Sequence, residues 1–425
     1  MAEYKVEDYF ATAGGFAINL AVVDQTARLA LTGIPTNFVV EEVGTGNTTS
    51  PTMKVWKYNG GGISNNANWT DVTASADCTA AIQAAVNALK LNGKGGTILF
   101  PSGICRMAAG GKVSEDLGAS GSQQGMFILK GTGDSAIRFL GTNDVRLQFF
   151  NSQTIICEKL VFLGDLTSLT STEASIAHLS FGGDISIVKE CLFYGLGLAH
   201  GTAKGILWMS NQCVLEKCQF RGTWGNLDPV VYATAIDSFV ARDVRCIDYG
   251  VYGTTSYAKG GSTGLNWIKV VNTGSTNQIP GSKFLCEDCT FDEGADVAVS
   301  VTDFEWAVVR ASNVNIPGRA HGPEFIRVHN VEVDNSNFGY TSFSGIVGLY
   351  VEDVDTARFR NIRFFSPAGE TSADTLSIQG TTRKVIIDNC SRGLATRLPW
   401  ILQNDADAEI IVDGVRTKGG LTQIG

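Results

Sequence analysis

Nine stretches of the chain carry one pattern of side chains, and in each the pattern changes phase partway through. They are Ile155–Phe162, Ser186–Phe193, Cys213–Phe220, Phe239–Cys246, Phe284–Phe291, Ala307–Val314, Val331–Phe338, Ala357–Phe364 and Val385–Arg392. Apolar residues recur at the first and third positions, then resume at the sixth and eighth. An uninterrupted strand would keep a period of two. The one-residue slip therefore reads as a corner between two short strands. Strand, corner, strand and loop recur at irregular intervals of 23 to 45 residues. No single coil of this kind can bury its apolar face, so coils must stack about 4.8 Å apart. The expected architecture is a parallel β-solenoid.

The fourth position of each stretch supports the same stacking. It reads Glu158, Lys189, Glu216, Arg242, Glu287, Arg310, Asp334, Arg360 and Asp388, charged throughout and alternating in sign without exception. Neighbouring coils would thus set opposite charges side by side. Exposed pairs of this kind contribute only about 0–1 kcal/mol each, so fixing register is their expected role. Asn335, Asn361 and Asn389 at the next position are candidates for an amide ladder. Val244 to Cys289 spans 45 residues, room for two coils. A coil at Trp267-Ile268-Lys269 would place Lys269 beside Arg242 and break the alternation. Tyr249–Lys283 is therefore read as one coil with a long, aromatic-rich excursion, and long loops in compact domains commonly carry function.

Composition narrows the function classes. The 425 residues carry a formal charge of −9, which argues against a nucleic-acid partner. No apolar run reaches the ~18 residues of a membrane span, and the first residues lack a basic segment followed by an apolar one. Glycine contributes 49 residues and proline only nine, pointing to many turns and little helix. Of ten cysteines, only Cys286 and Cys289 have C-x2-C spacing, and no second pair matches them. Buried reduced thiols, with no metal and no cofactor, are the expectation.

The first 70 residues read as a small α+β module, with a flexible connector near Gly60–Ala76. A helix follows over residues 78–91. Asp77 is its expected N-cap, Ile82, Ala85, Val86 and Leu89 its buried face, and Gly93 its terminator. Thr97-Ile98-Leu99-Phe100 is then a strand.

The run Asp77-Cys78-Thr79-Ala80-Ala81-Ile82, followed by Gly95-Gly96-Thr97-Ile98-Leu99-Phe100-Pro101, resembles the opening segment of pectate-lyase-like β-helix proteins. Lys189-Glu190-Cys191-Leu192-Phe193 and Glu287-Asp288-Cys289-Thr290-Phe291 resemble the coil signature of that family. Val23–Thr32 with Val55-Trp56-Lys57-Tyr58-Asn59-Gly60 is similar to a module of bacteriophage tail fibres and tailspikes. The resemblance implies an all-β, right-handed, single-stranded parallel β-helix over residues 71–425, with a capping helix and an N-terminal virion-attachment module over residues 1–70. It further implies a homotrimeric tailspike-type protein, docked to a phage tail or baseplate protein through residues 1–70. Such a protein attaches to host surface polysaccharide and in some members degrades it. It would reside in the virion tail after assembly in the host cytoplasm, with no nucleic acid bound and no membrane insertion. A structural tail component and a non-enzymatic adhesin are the alternatives. The Asp-Asp and Gly-His-Gly motifs of pectin hydrolases are missing.

Metal-independent glycoside hydrolysis needs two carboxylates, about 5 Å apart for retention or ~6.5–9.5 Å for inversion. Asp248 and Glu293 occupy equal offsets four residues after their anchors, so a single 45-residue coil would stack them. With Asp296 they are the expected catalytic carboxylates, against the ordinary preference of Asp and Glu for turns. Tyr249, Tyr252, Tyr257 and Trp267 are the expected sugar-stacking residues. Lyase chemistry would draw on Arg319-Ala320-His321-Gly322, though a loop histidine is the commoner case. His178, His200 and His329 show no partner pattern. Trp56, Tyr58 and Trp69 read as core of the small module.

Overall fold

The computed structural model describes residues 2–22, 24–42, 54–108, 111–118, 124–140, 145–164, 178–195, 207–221, 229–234, 237–247, 251–252, 255–256, 266–272, 281–292, 297–316, 322–340, 347–365, 374–393, 400–404, 406–413, 415–417 and 422–424. These residues form a right-handed parallel β-helix in two compact units, one built mainly on residues up to Ile206 and the other on residues from Leu207 onward.

Each complete coil of the second unit has three short strands on three walls. One such coil is Val297–Thr302, Trp306–Arg310 and Asn313–Ile316; the next is Glu324–Ile326, Asn330–Asp334 and Asn337–Tyr340. Every strand pairs in parallel with its counterpart on the next coil. The second and third walls are the strands read from the repeat. Their register follows the sequence alignment: Phe239 pairs with Phe284, then Phe284 with Ala307, Ala307 with Val331, Val331 with Ala357 and Ala357 with Val385. The pairing of Phe239 with Phe284 makes the 45-residue interval a single coil. Asn266–Val271, within that interval, is a first-wall strand paired with Val231–Thr234 and Val297–Thr302. In the first unit Cys157 pairs with Val188 and Phe162 with Phe193. There the stack also extends upstream of the repeat, through Gln124–Lys130, Gly95–Leu99 and Glu3–Lys5.

The corner between the second and third walls explains the slip. Lys159, Glu190, Lys217, Asp243, Asp288, Ala311, Asn335, Asn361 and Asn389 all have φ between 48° and 56°. A single left-handed residue turns the chain and shifts the inward face by one position. For a residue with a Cβ that conformation costs about 1–2 kcal/mol, least for Asn and Asp. The corner also reverses the hydrogen-bonding sense of the backbone. Asn335 N–H donates to the Arg360 carbonyl on the following coil (3.1 Å), whereas Asn337 N–H donates to the Ser312 carbonyl on the preceding one (2.9 Å). Between two such donors the Ser312 N–H takes a side-chain acceptor, Ser336 Oγ (3.2 Å). The amide ladder is partial: Asn389 Nδ2 donates to Asn361 Oδ1 (2.7 Å), but Asn361 Nδ2 donates to Asp334 (3.2 Å) and not to Asn335.

Inward positions form files of like residues. Phe239 stacks on Phe284 at 5.6 Å and Phe162 on Phe193 at 5.0 Å, each pair contributing about 0.5–1.5 kcal/mol beyond area burial. All ten cysteines are free; nine are buried and Cys390 is partly exposed. Burial pushes the Cys390 thiol up to about 11, so it packs as a neutral group.

The alternating charges pair along the coils of each unit. Glu158 is held between Lys130 (3.1 Å) and Lys189 (2.8 Å), which adds Lys130 to the file. Glu287 is held between Arg242 (3.0 Å) and Arg310 (2.7 Å). The hydrogen bond from Arg310 is the largest cause holding the Glu287 carboxyl below its ordinary range.

The helix runs over Thr79–Asn92, with Ile82, Ala85, Val86 and Leu89 fully buried and Gly93 left-handed at φ 65°. Asp77 stands one residue before the N-cap position, where its carboxylate accepts the Thr79 (2.9 Å) and Ala108 (3.2 Å) N–H groups. The Gly95-Gly96 pair has a steric reason. A Cβ at Gly95, whose φ is 76°, would lie 2.3 Å from the Met126 carbonyl oxygen.

The boundary at residue 70 is not a break in packing. Glu3–Lys5 pairs with the first coil, and Ile18 bridges Ile104. Leu20–Val22, Val39–Glu42, Lys54–Tyr58 and Trp69–Asp71 form a four-stranded sheet. Residues 60–76, expected to be a connector, supply one of its strands and two short 3-10 turns. Ile18, Val39 and Val55 pack with Ile104 and Ala136 in one cluster. Arg28 is fully buried, its guanidinium 4.3 and 4.7 Å from the Trp56 and Trp69 ring centres and its Nε donating to Glu42 (2.5 Å). Glu41, also fully buried, faces Arg138 Nε of the third-wall strand Ser135–Phe139 at 2.6 Å.

Two outcomes follow from this packing. Glu41→Ala, which leaves Arg138 buried without its counter-charge, lowers unfolding stability by about 3–5 kcal/mol in denaturant titrations. Asn361→Val, which forces a β-branched residue into the corner, loses about 2 kcal/mol, and Asn361→Gly much less. Equal losses for Val and Gly would put the effect in the side-chain contacts and not in the turn.

Candidate functional site

The carboxylates expected from the sequence, Asp248, Glu293 and Asp296, lie outside the described residues, as do Tyr249, Tyr257, His200 and the Arg319–His321 cluster. Tyr252 belongs to the short strand Val251–Tyr252, and only its backbone is described. Trp267 corrects its expectation. It is fully buried, so it offers no ring face to a sugar. His329, read as unpartnered, sits with Nδ1 2.5 Å from Asp355 Oδ2, and Arg383 lies 3.3 Å from the other oxygen. Asp303 accepts both Arg327 donors at 2.6 and 2.9 Å, which commits it to a surface pair.

The polar chemistry that the structure gathers lies on the first wall of the second unit. Strand alternation sends Leu207 and Met209, Val231 and Ala233, Val299 and Val301, Phe325, Leu349 and Val351, and Leu376 and Ile378 inward, all fully buried. The residues between them face outward. Pairing then aligns Trp208 with Tyr232, Tyr232 with Lys269, Lys269 with Ser300, Ser300 with Glu324, Glu324 with Tyr350 and Tyr350 with Ser377. Trp208, Tyr232, Lys269, Glu324 and Tyr350 are half-buried, while Ser300 and Ser377 are almost covered.

Two carboxylates stand in this file or next to it. Glu324 aligns with Tyr350, and Glu352 aligns with Ile326. The two are one coil apart and two residues along the strand, a Cα separation of about 8 Å from coil spacing and strand rise. Their surroundings differ. Burial raises the Glu324 carboxyl, with the Glu352 charge adding to the rise; a hydrogen bond from Ser300 and the Lys269 charge oppose it in part. Glu352 accepts a hydrogen bond from the Tyr350 hydroxyl at 2.8 Å. Burial, the hydrogen bond to Glu352 and the carboxylates nearby push the Tyr350 phenol up, so it remains a donor. A carboxyl whose hold on its proton burial strengthens, beside one that accepts a phenol hydrogen bond, is an arrangement that can divide proton donor from proton acceptor.

Sequence reading missed this file because the nine-fold repeat covers only the second and third walls. The signal that marks it is local: Glu324, Tyr350 and Glu352 alternate with Phe325 and Val351, a half-buried strand whose outward residues are acidic and aromatic.

No family model matches the sequence and no curated protein matches it. Solved structures do. The tailspike of an Acinetobacter phage is similar over 94% of this chain and 71% of its own, at 13% identity and a TM-score of 0.40. The A-module of an Azotobacter vinelandii mannuronan C-5 epimerase is similar over 79% of this chain and 90% of its own, at 12% identity and 0.46. PfbA, a surface adhesin of Streptococcus pneumoniae, is similar over 79% and 87%, at 10% identity and 0.44. Tailspikes of other phages recur among the similar structures.

Proposed function

We propose that this protein is a tailspike-type virion component that attaches to a polysaccharide of the host cell surface along the first wall. The observation that carries this reading is the outward file from Trp208 through Lys269 and Glu324 to Ser377. Its members repeat at the coil rise of about 4.8 Å, close to the length of one sugar unit in an extended glycan. Trp208 and Tyr232 supply ring faces for sugars, and Tyr350 supplies a hydroxyl group for hydrogen bonds. The same reading includes a homotrimer, docking to a tail or baseplate protein through residues 1–70, and residence in the virion tail after assembly in the host cytoplasm. No helix among the described residues is long and apolar enough to cross a membrane.

Hydrolysis of the bound glycan is a second reading, and the Glu324–Glu352 pair favours it over lyase chemistry. In this reading the Glu324 carboxyl gives its proton to the glycosidic oxygen as the C–O bond breaks. Glu352 takes a proton from a water whose oxygen bonds to the anomeric carbon from the opposite face. Proton exchange with solvent then restores both groups. Inversion requires the two carboxyl groups to stand ~6.5–9.5 Å apart, and the anomeric configuration of the product tests it.

Purified protein is mixed with isolated host surface polysaccharide; bound glycan is measured by depletion, and products are sized by chromatography. Trp208→Ala and Tyr232→Ala each weaken binding about 5–10-fold, in line with a lost stacking contact. Binding unchanged in both variants would remove the first wall as the attachment face. Glu324→Gln keeps binding and lowers fragment release by about 10²–10⁴-fold. Fragment release by the wild type falls as pH rises through the raised Glu324 pKa, because the proton donor is then lost. Full release by Glu324→Gln would leave the protein an attachment spike whose carboxylate pair does no chemistry.

A further inference from the structure

Lys269 has a place in the outward file that structural pairing does not explain. It is half-buried on the first wall, aligned with Tyr232 on one side and Ser300 on the other. Its counterparts among the described residues are Trp208, Tyr232, Ser300, Glu324, Tyr350, Ser377 and Gln403, so among these it is the one cation of the file. Among the described residues no carboxylate lies within ion-pair distance of its ammonium. The nearest charged residue along the file is Glu324, whose backbone lies two coils away, about 9–10 Å by the coil rise; the Lys269 charge acts on it without forming an ion pair. The contrast with the second wall is sharp. There Lys189, Arg242 and Arg310 each have a carboxylate at 3.0 Å or less. Taking an ammonium partly out of water without a close counter-ion is unfavourable, and an anionic ligand would remove that penalty.

Resting on the attachment reading, we propose that Lys269 is an anion subsite and that the glycan held on the first wall is acidic, with a carboxylate-bearing sugar seated at Lys269. One sugar per coil places that unit two sugars from the unit that faces Glu324. Tyr232, one coil before, stacks the neighbouring ring. The spacing has a consequence for chemistry. An anion bound at Lys269 neutralises the charge that otherwise lowers the Glu324 pKa, so the acidic glycan itself helps to keep Glu324 protonated. An ammonium at this position suits a carboxylate as a point charge and requires no bidentate geometry.

The test uses the full chain and a set of purified bacterial surface polysaccharides containing uronic acids, each in native form and after chemical reduction of its carboxylates to alcohols, with neutral polysaccharides alongside. The wild type is expected to bind at least one native acidic glycan about tenfold or more tightly than its carboxyl-reduced form, with the difference shrinking as salt rises. Lys269→Gln removes the difference between native and reduced forms. Lys269→Arg retains most of it, which separates a charge effect from a folding defect. Equal binding of native and reduced forms by the wild type overturns the anion subsite while leaving the attachment reading intact. A preference for the native form that persists in Lys269→Gln also overturns it. Absence of binding to every polysaccharide, acidic and neutral, overturns the attachment reading and this one with it.

Discussion

The left-handed residue at the corner between the second and third walls sets the geometry on which the rest depends. At Asp288, Ala311, Asn335 and Asn361 a single positive φ turns the chain from the second wall to the third and moves the inward face by one position. Around the turn the backbone donors engage both neighbours, the corner residue toward the following coil and the residue two later toward the preceding one. Two consequences follow. Slipping the register would break bonds of both senses at once. In addition, each outward position falls into line with its counterpart on the next coil. Outward files are therefore dictated by the backbone, and sequence chooses only what each file contains.

The content differs between walls. The second wall spends its outward positions on alternating charge, with Glu287 held between Arg242 and Arg310. Each such pair is partly exposed and adds little to stability. Its effect is on pairing: a coil displaced by one rung would bring like charges together. The first wall carries no such alternation. Its outward file mixes rings, hydroxyls, one ammonium and a carboxylate, a composition suited to holding a polar chain and of no use for keeping register.

This division decides what could be read from the sequence. The second and third walls are joined by one corner residue, so their spacing is fixed, and the register of Phe239 with Phe284 and of Arg310 with Asp334 was legible without coordinates. The first wall is reached from the third through connections of varying length, but it runs into the second at a near-constant one: Tyr232, Ser300, Glu324 and Tyr350 each stand seven residues before Phe239, Ala307, Val331 and Ala357. Glu324, Tyr350 and Glu352 stayed outside the repeat because outward residues on this wall change type from coil to coil, with no charged file to mark them. The Lys130 rung was missed for a similar reason, since Gly131 and Thr132 depart from the charged and apolar residues that follow the file elsewhere. In the first 70 residues nothing in the sequence singles out Arg28 or Glu41, and the structure shows Arg28 caged by two tryptophans and Glu41 buried against Arg138.

A wall with constant rise beside connections of variable length separates two tasks that compete in most folds. Rigidity is supplied by the corners and the inward phenylalanine and cysteine files, which do not touch the first wall's outward face. Recognition is left to side chains that no backbone bond or register charge requires. A substitution at Lys269 or Tyr232 can therefore alter what the wall holds without disturbing how the coils stack. The reverse does not hold. Moving a corner would displace every member of the outward file together, and Glu324 would lose its alignment with both Ser300 and Tyr350. The contrast between the two carboxylates' surroundings rests on that alignment: Ser300 and Lys269 act on Glu324 from one side, and Tyr350 reaches Glu352 from its own strand. The site's chemistry is thus a property of the coil rise as much as of the residues themselves.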